Sequence, residues 1–312
     1  MWCGRMKDHS TTGILVRDRR TGAAFQERVY GEKAIQWLYR SKAGLCLEGV
    51  LLSKRRISQL MGAYHDSRMS VKKIASFIRN YEIQMEEFES GPFSSFNQFF
   101  VRRFKKGARP FATPPQLAAF AEARYFAWAK TTEETCLPVK KALLSPGSLL
   151  GGELPADARK RLEGGPLLLA RLCPTDYHRF HYPDSGTTRF SKRVTGRLHS
   201  VNPVALQARP KAFLENERHV SLLECDHLGL LAFIEVGALG VGKILQTTEG
   251  AARFERGQEK GLFLFGGSTV IVLGEPGKWV PDADLLESTA QGLETFIRLG
   301  EGIASAATST QR

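Results

Sequence analysis

Apolar residues in the first third of the chain recur at the spacing of three and four that is typical of amphipathic helices. This pattern covers residues 30–83, and Lys and Arg residues occupy most of the positions between the apolar ones. Ser70 has the residue type of an N-cap, which predicts a helix that starts at Val71. One face of the first predicted helix carries Ala34, Ile35, Leu38 and Tyr39.

Beyond Pro110 the apolar residues fall in short runs that Gly, Pro and Asn interrupt, a pattern that predicts strands. The final segment, 283–304, returns to helical spacing. We therefore expect an α+β fold, with N-terminal amphipathic helices in residues 1–110 followed by a β-rich domain in residues 111–312. The clearest predicted strands are 167–172, 219–224, 230–236 and 268–273.

Positive charge is concentrated in the predicted helical region. The chain of 312 residues has a net charge of +12, and residues 1–110 contain 21 Lys and Arg against 10 Asp and Glu. Such a field attracts a polyanion, either an anionic membrane surface or nucleic acid. A solvated charged face over an ordinary helical core is the alternative. We favour a membrane-associating region, because no nucleic-acid-binding signature is visible.

Composition narrows the protein class further. Hydrophobic residues make up 42% and charged residues 24%, which argues against wholesale disorder and for a packed core. No apolar run approaches the roughly 18–20 residues that span a bilayer, and the start lacks a signal-peptide pattern. We expect a peripheral protein on the cytoplasmic side. The five cysteines form no CxxC pair, so neither a zinc clip nor a disulfide framework is indicated: Cys3, Cys46, Cys136, Cys173 and Cys225.

Candidate chemistry lies mainly in the C-terminal two thirds. His178 and His181 are three residues apart in YHRFHYP (177–183), and no other histidine supplies the spacing of a metal site. Gly267 precedes Ser268 in KGLFLFGGST (260–269), where two glycines inside an apolar run indicate either a bulge or a strained backbone. A third cluster, FNQFFVRRF (96–104), is both aromatic and basic and carries no evident nucleophile.

In this order and spacing the clusters resemble those of the phosphatidylserine decarboxylase family, which are pyruvoyl-dependent, self-processing lipid enzymes. The likeness extends from about Gly31 to Gly302. It includes FNQFF with the following ARP (96–110), YHRFHYP (177–183), GRLHSVNP (196–203), NER (216–218), VGALGVG (236–242) and KGLFLFGGST (260–269).

The resemblance implies a proenzyme that cuts itself between Gly267 and Ser268. The large subunit would be residues 1–267 and the small one 268–312, and together they would form the catalytic domain. Ser268 would become a covalent pyruvoyl group, the only cofactor, which forms a Schiff base with the substrate amine. The implied reaction converts phosphatidylserine to phosphatidylethanolamine and CO₂, because loss of a carboxylate beside an amine needs an electron sink that no side chain offers.

The resemblance also implies roles for the two histidines and a carboxylate. His181 would be the base for self-cleavage and His178 would assist decarboxylation. The carboxylate that orients the base matches Glu122, 59 residues before His181, although the family has Asp there with a neighbouring Pro and Gly. We expect Glu122 to support slower self-cleavage. A solvated surface role is the alternative, with Asp157 and Asp176 as the remaining candidates.

Three other functions stay open at this level. The first is a lipid-binding pseudoenzyme that keeps the fold but does not cut itself. The second is a pyruvoyl decarboxylase of a soluble amine, and the third and weakest is a nucleic-acid-binding protein. A homodimer is possible, and the leading interpretation has anionic membrane, phosphatidylserine and the two subunits as partners, with no nucleic acid and no metal.

Overall fold

A ten-stranded sheet forms the centre of the molecule and carries Ser268 on its fifth strand. The computed structural model describes residues 14–132, 135, 146–150, 152, 154–239, 243–248, 250 and 252–307. Cys3, Cys136, Val241 and Gly242 lie outside this part of the chain. The described strands are β1 (Leu15–Asp18), β2 (Ala24–Gln26), β3 (Leu117–Ala118), β4 (Ala123–Trp128), β5 (Leu167–Leu172), β6 (Arg179–His181), β7 (Gly186–Val194), β8 (Arg218–Cys225), β9 (Gly229–Gly237), β10 (Ile244–Gln246), β11 (Arg253–Phe254), β12 (Glu259–Phe263), β13 (Ser268–Gly274), β14 (Trp279–Pro281), β15 (Glu294–Ile297) and β16 (Gly302–Ala306).

Helices are concentrated in the N-terminal third, as the sequence predicts. In this region a π-helix (Glu48–Leu52) and 3₁₀ helices (Arg68–Lys73 and Met85–Glu87) lie between the α-helices. No helix in the described part of the chain is long and apolar enough to cross a bilayer. The α-helices are α1 (Glu32–Arg40), α2 (Lys42–Leu47), α3 (Arg55–Asp66), α4 (Ile74–Tyr81), α5 (Phe96–Phe100), α6 (Pro146–Leu150), α7 (Ala156–Leu162), α8 (Pro203–Ala208), α9 (Ala212–Glu215) and α10 (Ala283–Ala290).

The order of strands in the large sheet is β11-β7-β8-β9-β13-β5-β4-β15-β1-β2. β13 is antiparallel to both β9 and β5, so Ser268 lies opposite Gly237 on one side and Leu172 on the other. Every residue of β13 is buried, which explains its unbroken apolar run from Val270 to Leu273. The smaller sheet β10-β12-β6 carries His181.

Two clusters of apolar side chains connect the N-terminal helices to later parts of the chain. Leu38 and Tyr39 of α1 pack with Ala205 of α8. The second, which we call the aromatic cluster, consists of the buried residues Ile74, Phe77, Phe96, Phe99, Phe100 and Phe265. It connects α4 and α5 to Phe265, three residues before Ser268.

The predicted α+β class and the four predicted strands are confirmed. The helical prediction for 283–304 is correct only to Ala290, because β15 and β16 follow. Gly292, at φ 75°, lies in the turn that separates α10 from β15. The strand β1, which pairs with β15, was not predicted within residues 1–110.

The predicted N-cap at Ser70 is wrong. Ser70 lies inside the 3₁₀ helix Arg68–Lys73, and α4 begins at Ile74. Its hydroxyl accepts a hydrogen bond from the Phe96 N–H at 2.8 Å and donates to the His65 carbonyl at 3.0 Å. The Ser70 hydroxyl oxygen therefore accepts from the first residue of α5, 26 residues away in the chain, instead of from a backbone N–H of the predicted helix.

The central position of β13 makes a prediction about stability. Ile271→Ala, at a fully buried position, should lower the free energy of unfolding by about 2–5 kcal/mol, since it leaves a cavity in the sheet core. Val280→Ala, at a residue 43% exposed on β14, is the control and should cost less than about 1 kcal/mol. Urea unfolding in a Ser268→Ala background measures both as single chains. Equal losses would contradict the core role of β13.

Candidate active site

Ser268 is the first residue of β13 and is fully buried. Gly266, two residues before Ser268, has φ 143°, a backbone conformation that residues with a Cβ rarely adopt. The side chain of Asn97 on α5 holds the backbone at Phe265. Its Oδ1 accepts a hydrogen bond from the Phe265 N–H at 2.9 Å, and its Nδ2 donates to Asp66 at 2.8 Å. The asparagine of FNQFF therefore fixes the backbone ahead of the Gly267–Ser268 bond.

His178 is the histidine that lies beside Ser268. Its Nδ1 is 3.5 Å from the Ser268 hydroxyl, and its Nε2 is 2.7 Å from the Cys173 carbonyl. A carbonyl can only accept, so Nε2 carries the proton and Nδ1 faces the hydroxyl as an acceptor. Burial, together with the positive charges of Arg102 and Arg124, lowers the pKa of His178 to about 3, so the ring is neutral at pH 7.

A buried charge network holds the loop that carries His178. Asp176 accepts from the Cys173 N–H at 2.7 Å and pairs with Arg124 of β4, which also pairs with Glu27 at 2.9 Å. Arg171 of β5 pairs with Glu27 at 2.8 Å, and it also pairs with Glu294 of β15. Sequence reasoning missed these arginines, although charges inside the apolar segments 123–128 and 167–172 were a visible signal.

His181 lies on β6 and is turned toward other partners. Its Nδ1 is 2.9 Å from the Gly257 carbonyl and its Nε2 is 3.2 Å from the Tyr177 hydroxyl. Neither nitrogen is hydrogen-bonded to Ser268 or Glu122. Burial lowers the pKa of His181. The ring lines a cavity of about 490 Å³ together with Tyr177 and Glu259.

Glu122, immediately before β4, is buried and bound by Arg109. The carboxylate accepts from Arg109 at 2.6 and 2.9 Å and from the Leu299 N–H at 3.2 Å. The structure therefore brings Ser268 and His178 together, but it does not join Glu122 to His181. Of the other two carboxylates considered above, Asp157 is exposed on α7, and Asp176 contacts Arg124 rather than either imidazole.

The phosphatidylserine decarboxylase family model matches residues 96–305, which include both histidines, Glu122 and Ser268. The chain belongs to this family. It is 40% identical over 293 residues to a phosphatidylserine decarboxylase proenzyme of Desulfitobacterium hafniense, covering 93% of this chain and 97% of that protein. Proenzymes of the same name from Clostridium novyi and Ruminiclostridium cellulolyticum are each 37% identical, covering 89% and 94% of this chain and 95% and 97% of theirs.

Membership of the phosphatidylserine decarboxylase family confirms the resemblance seen in the sequence and the prediction of a carboxy-lyase. The relatives are named phosphatidylserine decarboxylase proenzymes. These names identify the family as decarboxylases, which are lyases, and as proteins that are made as zymogens. The individual roles of Ser268, His178, His181 and Glu122 stay predictions at this point.

The neutral state of His178 predicts a pH dependence of stability. Its folded pKa of about 3 lies below the ordinary value of 6.5, so the unfolded chain binds the proton more readily between these values. The stabilising contribution is complete above pH 6.5 and is lost as the pH falls toward 3. Between pH 7 and pH 5, the Ser268→Ala protein should lose about 2 kcal/mol more than the Ser268→Ala/His178→Asn protein in urea unfolding. Equal losses would mean that His178 titrates in the folded protein as it does in the unfolded chain.

Proposed function

We propose that this protein converts phosphatidylserine to phosphatidylethanolamine and CO₂, using a pyruvoyl group made from its own Ser268. The observation that carries the proposal is the buried contact between the Ser268 hydroxyl and the unprotonated Nδ1 of His178, in a chain of the phosphatidylserine decarboxylase family. The proposed chemistry needs a serine at the peptide bond that is cut and an imidazole beside the group formed from that serine, and Ser268 and His178 supply these two parts.

Self-cleavage is proposed to begin when the Ser268 hydroxyl attacks the Gly267 carbonyl. The carbon–nitrogen bond breaks and an ester forms, so the nitrogen of Ser268 becomes a free amine. Loss of the Ser268 Cα proton then expels the carboxylate of Gly267. Tautomerisation and hydrolysis of the remaining enamine release ammonia and leave an N-terminal pyruvoyl group on residues 268–312.

The surroundings of Ser268 fit such a group. Ser268 opens a strand paired on both sides, so a new chain start at this point keeps its position between Leu172 and Gly237. A carbonyl there supplies the electron sink that decarboxylation requires. His178 stays within reach of it, and after its Nδ1 has taken up a proton it can pass that proton to the carbon that CO₂ has left, while the aromatic cluster keeps water away.

The two fragments have good reason to stay together after the cut. β13 of the small subunit lies between β5 and β9 of the large one, and its apolar residues are fully buried. Glu294 in the small subunit also pairs with Arg171 in the large one. Separation would expose this strand and leave buried charges unpaired, which is costly.

For the base in self-cleavage we retain His181, as the resemblance implies, with Glu122 as its orienting carboxylate. In this role the His181 ring must leave Gly257 and Tyr177, and Glu122 must release Arg109. The pairing of Glu122 with Arg109 is also the observation that favours the second candidate, a lipid-binding pseudoenzyme that does not cut itself.

The first prediction for this function concerns intact mass. The purified protein should separate into two chains, residues 1–267 and a pyruvoyl-started 268–312, because Ser268 is the attacking group. Ser268→Ala should remain a single chain, and mass spectrometry after denaturation measures both. A single uncut chain of about 34.7 kDa from both proteins would contradict self-processing and favour the pseudoenzyme.

Variants at the other residues separate the proposed roles in the same assay. His181→Asn should stay uncut, whereas His178→Asn should cut but fail to release CO₂ from phosphatidylserine. Glu122→Gln should slow the cut by about 10- to 100-fold, since the base loses its orienting charge. Glu82→Gln, at an exposed residue, is the control for Glu122. An uncut His178→Asn beside a fully cut His181→Asn would reverse the roles of the two histidines.

We also propose that the protein acts as a peripheral enzyme on anionic membrane, at the cytoplasmic face. Large apolar side chains point to solvent on the N-terminal helical region, where Trp37 is 54%, Val50 60%, Leu60 68% and Met69 67% exposed. Val50 also lines a cavity of about 520 Å³ with Lys54 and Arg197. Exposed apolar side chains surrounded by cations are suited to the boundary between lipid head groups and acyl chains. Exposed cations among the described residues of these helices and their connections include Lys33, Arg40, Lys42, Lys54, Arg56, Arg68, Lys72 and Arg79.

Membrane association predicts that Leu60→Ser/Met69→Ser weakens binding to phosphatidylcholine vesicles containing phosphatidylglycerol by about tenfold or more, since each apolar side chain contributes about 1–3 kcal/mol. Vesicle sedimentation measures the binding. Leu245→Ser/Val280→Ser, at exposed residues of β10 and β14, is the matched control and should bind like the unmodified protein. Equal weakening by both pairs, or tighter binding to DNA than to the vesicles, would contradict the membrane surface.

A further inference from the structure

Arg102 is a buried cation with donors that no group in the described structure uses. It follows α5 in the FNQFFVRRF segment and is 3% exposed. Its Nη2 donates to the carbonyls of Thr175 and Asp176 at 3.1 and 3.4 Å. Its Nε and Nη1 are buried and donate to nothing. The rings of Phe88 and Phe99 cover the guanidinium, with centroids 4.3 and 4.9 Å away.

The missing partner sets Arg102 apart from neighbouring arginines. Arg124, Arg171 and Arg179 are also buried, and each pairs with a carboxylate. No carboxylate of the described residues forms an ion pair with Arg102. Burial lowers the pKa of Arg102 to about 10, so it remains charged at pH 7. An unpaired buried charge is expensive, and a native structure that retains one usually uses it.

The unused donors lie close to the reacting groups. Thr175 and Asp176, whose carbonyls Arg102 binds, are in the loop that leads to His178. Phe100, two residues before Arg102, stacks on the His178 ring at 3.9 Å. Ser268 and His178 are themselves fully buried, so any opening that admits substrate to Ser268 must reach this depth.

We propose that Arg102 binds the phosphodiester of the phosphatidylserine head group during decarboxylation. This inference rests on the proposed function. A guanidinium with adjacent free Nε and Nη1 donors suits two phosphate oxygens. The substrate carboxylate is the poorer ligand, because it loses its charge as CO₂ forms and a strong ion pair to it would oppose the reaction. The phosphodiester keeps its charge throughout.

An interaction that is equally strong in the bound substrate and in the transition state changes KM rather than kcat. We expect Arg102→Gln to raise KM for dihexanoyl phosphatidylserine by about 10- to 100-fold, with kcat within about threefold of the unmodified enzyme. The inhibition constant of glycerophosphoethanolamine, which has the phosphodiester but no carboxylate, should rise by the same factor. That of serine, which has the carboxylate but no phosphate, should change by less than about twofold.

Two further variants keep the test decisive. Arg102→Lys retains the charge without the planar fork and should give a smaller rise in KM, which can be measured even if Arg102→Gln does not fold or cut. Arg189→Gln, at an exposed residue of β7, removes one charge elsewhere and should leave all constants unchanged.

An unchanged inhibition constant for glycerophosphoethanolamine in both Arg102 variants would overturn the proposal. A rise in the serine constant alone would also overturn it and assign Arg102 to the carboxylate. If the unmodified protein releases no CO₂ from phosphatidylserine, the proposed function fails by itself. Calorimetry with glycerophosphoethanolamine and the unmodified, Arg102→Gln and Arg102→Lys chains then decides the role of Arg102, since weaker binding by both variants supports it and equal binding overturns it.

Discussion

The pairing of β13 with strands on both sides is the constraint on which the rest of the structure depends. Ser268 begins this strand, so its position is determined by the registers with Leu172 and Gly237 rather than by a loop. A residue in a loop would be held less firmly. At the start of a central strand, Ser268 is held by the hydrogen bonds and apolar packing of the strand residues that follow it.

Buried charges extend this control to the histidine loop. Arg171 lies on β5, next to β13, and Arg124 lies on β4, the strand beyond β5; each pairs with carboxylates from distant segments. Their cost of burial is offset only when Glu27, Asp176 and Glu294 are all in place. The loop that carries His178 is therefore positioned together with the end of β2, β4 and β15, and the network joins both sides of the Gly267–Ser268 bond.

The FNQFFVRRF segment connects the N-terminal helices to the same site through three different interactions. Asn97 binds the backbone at Phe265, Phe100 stacks on His178, and Arg102 binds the loop at Thr175 and Asp176. In sequence this segment had no evident chemical role, because its side chains include no nucleophile. Its importance is positional, since each contact reaches a residue at least 73 positions away in the chain.

Sequence alone determined the fold class and the apolar strands, and it supplied the candidate reacting side chains, because period-two and period-3.6 patterns and the order of motifs are local properties. It did not determine how residues after Ala290 pair, since their apolar spacing fits a helix and only contact with β4 and β3 makes them strands. Nor could it show that Glu122 binds Arg109, that His178 rather than His181 contacts Ser268, or that no carboxylate in the described part of the chain pairs with Arg102. These features depend on distances between segments far apart in the chain, which only tertiary packing decides.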